Sequence, residues 1–96
     1  MKNIERYNII MNLMKEHQQR QEKCHEIYWE QRMRSVQKPV VILGKDKEIY
    51  ESNHVRIDEI EHMLKIHLNQ IYDEKLTKEI QKMYGSLFDR CYKHLF

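Results

Sequence analysis

The feature that most constrains this chain is what its first third lacks. From Lys2 to about Val36 there is neither glycine nor proline, and Glu, Gln, Lys, Arg, Met and Leu dominate. Such residues lose little freedom in a helix, and nothing in the run breaks one, so the stretch predicts a single long helix. At ~1.5 Å per residue it would extend roughly 50 Å, longer than a compact domain of this size is wide. Pro39 ends the element, because the residue before a proline is pushed out of the helical region.

Apolar positions Ile4, Tyr7, Ile10, Met11 and Met14 recur at three- and four-residue spacing, and Cys24, Ile27, Tyr28 and Gln31 continue the stripe after an interruption. The interruption is the polar run EHQQRQEK, residues 16–23. It reads as a solvated middle turn of a continuous or gently bent helix, or else as the place where the helix divides in two.

After Pro39, ValValIleLeuGly (40–44) and GluIleTyrGluSer (48–52) flank a turn-like Gly44-Lys45-Asp46-Lys47. That arrangement predicts a short β-hairpin, or failing that an extended crossover, near 40–51. From Asn53 helical periodicity returns, with Ile57, Ile60, Leu64, Leu68 and Ile71 on one face and Leu76, Ile80, Met83, Leu87 and Cys91 on another. Ser52 or Asn53 can cap the start. Asp73 can cap a second segment, although one helix through 54–84 fits the pattern equally. Gly85 before Ser86-Leu87-Phe88-Asp89 reads as a C-terminal glycine stop followed by a new cap, with a closing helix over about Leu87 to Leu95. GluIleTyr or GlnIleTyr recurs at 26–28, 48–50 and 70–72, but the copies fall in dissimilar elements and describe no repeated unit.

The expected architecture is therefore mainly α: one domain over 1–96 with a long N-terminal helix over 1–36, a hairpin or crossover over 39–51, and two to three helices within 53–96. Ninety-six residues suffice for one small core. With 41% hydrophobic and 33% charged residues and a net charge of +2, the chain can bury that core beneath a charged surface. Residues 1–47 carry ten basic and six acidic side chains and residues 48–96 carry seven and nine, a mild split of +4 against −2 that suits two halves attracting each other.

Two cysteines are too few for a secreted disulfide scaffold. The longest apolar runs are about four residues, and Glu5, Arg6 and Asn8 interrupt any leader-like segment. The expectation is a soluble, cytoplasmic protein with no membrane contact. The chain has no alanine but eleven isoleucines, which suits a low-GC genome such as that of a Firmicute, a phage or another mobile element.

The stretch CHEIYWEQRMR, residues 24–34, holds the chemically richest side chains. Metal binding would use Cys91 and His94 at i and i+3, completed by Cys24, His25 or His17. Adjacent helical residues such as Cys24 and His25 diverge by ~100°, so the grouping matches no zinc signature and no metal site is assigned. The same divergence removes Cys24 and His25 as a nucleophile and base. With two glycines in all there is no phosphate-binding loop. No enzyme activity and no cofactor are expected.

Recognition remains. Trp, Tyr and Arg are the types enriched at interface hot spots. If Tyr28 continues the Cys24/Ile27 stripe, Trp29 faces outward with Arg32 and Met33 at i+3 and i+4; the opposite assignment puts Trp29 in the core. The candidate partner-binding residues are Tyr28, Trp29, Arg32, Met33, Arg34 and Lys38. The functional expectation is a non-catalytic regulator, adaptor or inhibitor that docks on a larger host or defence complex, protein or nucleoprotein, with a homodimer also able to cover the far end of the long helix. The alternative is a nucleic-acid accessory protein using 28–38, against which Glu26, Glu30 and the small net charge weigh.

Overall fold

The first helix forms without interruption. In the computed structural model, which describes residues 1–34 and 40–92, α1 spans Asn3–Arg34, α2 Gly44–Leu68, α3 Glu74–Met83 and α4 Gly85–Cys91. α1 and α2 lie antiparallel. Their cross-links descend in step: Arg6 with His67, His17 with Glu61, Arg20 with Asn53, Cys24 with the Tyr50 carbonyl, and Gln31 with Asp46. The described residues measure 50 × 22 × 22 Å, so the length of the molecule is the length of α1.

One expectation for α1 is met in most of its residues and one for α2 is corrected. The polar run 16–23 does not break α1, and Gln18, Gln19, Gln21, Glu22 and Lys23 are exposed as a solvated stretch of a continuous helix requires; the exception is His17, which is buried facing α2 and holds the place an apolar residue would take. No hairpin forms over 40–51 among the described residues: residues 40–43 have no regular secondary structure, Leu43 is extended, and α2 begins at Gly44. Gly44 has φ +68, a left-handed conformation that glycine enters without steric cost. Tyr50, Asn53, Ile57, Ile60 and Leu64 then keep a three-four spacing against α1, so packing overrides the β preference of Ile49 and Tyr50. Ser52 and Asn53 are thus not caps. Both turn their side chains back to the Ile49 carbonyl within α2.

α2 ends in a turn at Asn69 and Gln70, and Asp73 caps α3 by accepting from the Leu76 N–H at 3.1 Å, as its sequence position predicts. α3 stops at Met83 with Tyr84 as its C-cap, directly before Gly85 and where the sequence places the stop, but Gly85 has no positive φ and is itself the first residue of α4, whose N-cap is Tyr84. Of the closing segment expected to reach Leu95, α4 ends at Cys91, and residues 93–96 lie outside the described residues.

α3 and α4 fold back over only one end of the α1/α2 pair. There Ile10, Met14, Ile60, Leu64, Leu68, Ile71, Ile80, Phe88 and Cys91 form one buried cluster drawn from all four helices and the α2–α3 turn. Each fully buried Leu or Ile contributes about 1.5–3 kcal/mol of transfer free energy, so this four-helix half supplies most of the hydrophobic drive. The other half is an arm of two helices, residues 18–34 and 44–58, whose seam is held by Cys24, Ile27 and Ile57 with the half-buried Tyr28 and Tyr50.

Candidate functional site

A polar belt separates the two halves. Glu16 accepts from Arg20 Nε at 2.7 Å and from both Nε and Nη2 of Arg56 at 2.8 and 3.1 Å. The bonds from Arg56, then those from Arg20, pull its carboxyl down to about 2. Arg20 also donates to Asn53 at 2.9 Å. On the neighbouring side Glu61 takes the buried His17 on one oxygen at 3.1 Å and Arg90 of α4 on the other at 2.7 Å. No buried side-chain polar atom among the described residues is left without a partner, which is how a helix keeps a polar run in its packed face. The belt is structural: its groups satisfy one another and leave no reactive pair free.

The arm beyond the belt has an open face. Between α1 and α2 a cleft of about 430 Å³ is walled by His25, Tyr28 and Trp29 on one side and by Tyr50, His54 and Asp58 on the other. Arg90, held on Glu61, closes its inner end. The Tyr50 and His54 rings lie 4.4 Å apart, and those of Tyr28 and Trp29 meet edge to face at 5.8 Å. Asp58 is exposed and has no ion-pair partner among the described residues.

The structure answers the Tyr28/Trp29 question. Tyr28 is half-buried on the cleft wall, while Trp29 is 52% exposed on the rim, with the Arg32 guanidinium carbon 5.2 Å from its ring centroid. Met33 is 85% exposed, and with Glu26, Trp29, Glu30 and Arg34 it forms an outer ridge on the side of α1 away from α2. Trp29, Arg32, Met33 and Arg34 therefore occupy one continuous surface, with Tyr28 turned into the adjoining cleft. Lys38 lies outside the described residues. Val41 and Leu43, both more than half exposed, add apolar surface at the same open end.

The other candidate chemistry disperses. Cys24 is buried in the arm, its thiol directed at the Tyr50 carbonyl at 3.8 Å, and burial pushes it up. Cys91 is buried in the four-helix cluster, where burial and then the nearby Glu61 carboxylate push it up as well. Neither thiol has the electropositive, accessible setting of a reactive one. No three His, Cys, Asp or Glu side chains gather as metal ligands among the described residues; His94 lies outside them. No described helix is long and apolar enough to cross a membrane.

Comparison with protein-family models, curated proteins and solved structures finds no match. On the α1 wall the sequence singles out Tyr28 and Trp29 for binding but not His25; on the α2 wall Tyr50 and His54 fall in or beside the expected hairpin, and Asp58 lies in the expected helix, where it reads as part of a solvated face. One signal was available: carrying the Ile57–Ile60–Leu64 spacing backwards reaches Asn53 and Tyr50 on the same helical face.

Proposed function

We propose that this chain is a non-catalytic protein-binding factor, a regulator, adaptor or inhibitor that docks on a larger cellular complex through the arm. The absence of alanine and the eleven isoleucines suit a low-GC genome, and the reading extends to a phage or mobile-element origin and a role against a host or defence assembly inside the cell. The observation that carries the reading is Trp29: the only tryptophan stands on the rim of an aromatic cleft, half exposed and stacked by Arg32, on the half of the molecule that contributes least to the core. Large aromatics with an Arg neighbour are the side chains that contribute most at interface centres. Exposed Met33, Val41 and Leu43 enlarge the apolar area around it.

A nucleic-acid reading would use the same ridge for phosphates. Glu26 and Glu30 border it, and Arg32 is engaged on the indole, which favours a protein partner over a polyanion.

The test is affinity capture from the native host with the wild-type chain and with Trp29→Ala. The variant is expected to keep its helical circular dichroism and melting temperature and to lose the captured protein. A variant that unfolds, or one that captures as well as wild type, overturns the reading. Retention on DNA or RNA that falls steeply with salt and with Arg34→Ala would transfer the ridge to nucleic acid.

A further inference from the structure

The buried histidine of the belt has a second nitrogen that the belt does not use. His17 is 1% exposed and reaches Glu61 through Nε2 at 3.1 Å. Arg90 holds the other Glu61 oxygen at 2.7 Å, and a carboxylate paired with a guanidinium only accepts. In the neutral imidazole the proton therefore sits on Nε2, and Nδ1 keeps a lone pair. No described residue bonds to Nδ1, whereas every described side-chain polar atom that is shut off from solvent has a partner. The small accessible remainder of His17 thus includes Nδ1, and it faces the cavity that His17 lines.

That cavity, of about 280 Å³, is walled by α1, the end of α3, Tyr84 and α4. It lies on the other side of Arg90 from the aromatic cleft and is small beside the roughly 300–1,000 Å³ of sites for drug-sized ligands. Its apolar surface comes from buried Met14, half-buried Leu87 and exposed Met83. Thioether sulfurs pack favourably on aromatic rings and adapt to their shape. A mainly apolar wall with one oriented polar atom is the ordinary composition of a small-molecule site.

We infer that this cavity binds a small uncharged aromatic molecule carrying one O–H or N–H donor, of the phenol or azole class. The donor bonds His17 Nδ1, and the ring lies against Met14, Met83 and Leu87. Each property follows from the walls. A donor is required because Nδ1 is an acceptor fixed in orientation by Glu61, as a carboxylate partner fixes the tautomer of an imidazole. An anion would meet that lone pair with the Glu61 carboxylate behind it, and a cation would meet the Arg90 guanidinium. A single ring is what the volume admits.

The site shares no residue with the Trp29 ridge and stands or falls separately from the docking function. The experiment is a two-dimensional NMR titration of the full chain at pH 8, where imidazoles and phenols are neutral, with 4-methylphenol and, in parallel, toluene, which has the ring without the donor. Saturable shifts are expected at residues 17–21 and 83–90 with 4-methylphenol, at a dissociation constant of about 1 mM or tighter. Toluene should bind about tenfold more weakly or worse, because it leaves the buried acceptor unpaired. The imidazole nitrogen spectrum of His17 should show the proton on Nε2, and the Nδ1 resonance should move as 4-methylphenol is added.

His17→Phe, which keeps a ring and removes the nitrogens, should bring the two probes to equal affinity, with circular dichroism checking its fold; if it does not fold, the wild-type comparison decides alone. Toluene binding as well as 4-methylphenol, a His17 proton on Nδ1, shifts centred on Tyr28 and Tyr50, or no saturable shift up to roughly 10 mM would each overturn the assignment.

Discussion

The two halves of this molecule share their two longest helices and differ in what lies on top of them. In the four-helix half, residues from every helix converge on Phe88, Leu64 and Ile10, each at most 2% exposed. In the arm the same helices are held by a thin seam of Cys24, Ile27 and Ile57, with aromatic side chains left at an open cleft. The difference teaches where stability is placed and which surface the proposed docking would use. One half buries enough to hold the fold, and in the other no described helix covers Trp29, Arg32 and Met33, which stay exposed.

The largest expected effect comes from cutting the four-helix cluster. Phe88→Ala should cost about 3–5 kcal/mol and Leu64→Ala about 2–5 kcal/mol, enough to unfold much or all of a domain this small. Urea unfolding followed by circular dichroism measures it. Ile27→Ala, at an equally buried position in the arm, should cost about 2 kcal/mol, at the low end of the range, because a two-helix seam relaxes more readily. Equal losses at Phe88 and Ile27 would erase the distinction between the halves.

The belt gives an intermediate effect with a defined pH signature. The Glu16 carboxyl titrates at about 2 in the folded chain, against 4.5 for an ordinary glutamate. Its contribution is complete above the ordinary value and is lost as pH falls from there towards 2. Glu16→Gln should cost about 1 kcal/mol at neutral pH and flatten the acid limb of a stability–pH curve; an unchanged limb would show that the Arg20 and Arg56 bonds do not couple to folding.

A smaller effect is expected at His67, whose Nδ1 accepts from Arg6 at 2.8 Å. Burial, and then the Arg6 charge, holds this imidazole below its usual 6.5. The unfolded chain therefore takes up the proton first, so stability is full above pH 6.5 and declines as pH drops below it. His67→Asn, which keeps an acceptor near Arg6 without titrating in this range, should reduce that decline. At the bottom of the scale, Met33→Ser on the outer ridge should change stability by less than about 0.5 kcal/mol. A larger loss would mean that the ridge contributes to the fold and is no free surface.

How much of this could be read in advance depended on what decides each element. α1 was legible because an unbroken run of helix formers leaves few alternatives, and Asp73 because a cap is local chemistry. The polar run at 16–23 was ambiguous because solvent and a buried network select the same residue types; only the apposition of Glu61, Arg56 and Asn53 distinguishes them. The start of α2 was misread because Val40 to Tyr50 carries β preference and a glycine, while the deciding factor is tertiary: Tyr50 and Asn53 pack against α1. On the surface, Trp29 and Tyr28 were both named as candidates, but adjacent helical residues point about 100° apart, and the α2 position fixes which of them turns inward. Tyr50 and His54 of the cleft were missed with the α2 start.

The central proposal is that the arm, and not the four-helix half, is the surface on which this chain would meet a foreign protein. It is tested most directly by placing a photo-crosslinking amino acid at Trp29 and, in a second variant, at Met83, which is 60% exposed on α3, and irradiating both in the native host. The account predicts one defined adduct, identified by mass spectrometry, from position 29 and none from position 83. An adduct from position 83 alone, or the same adduct from both, would contradict it.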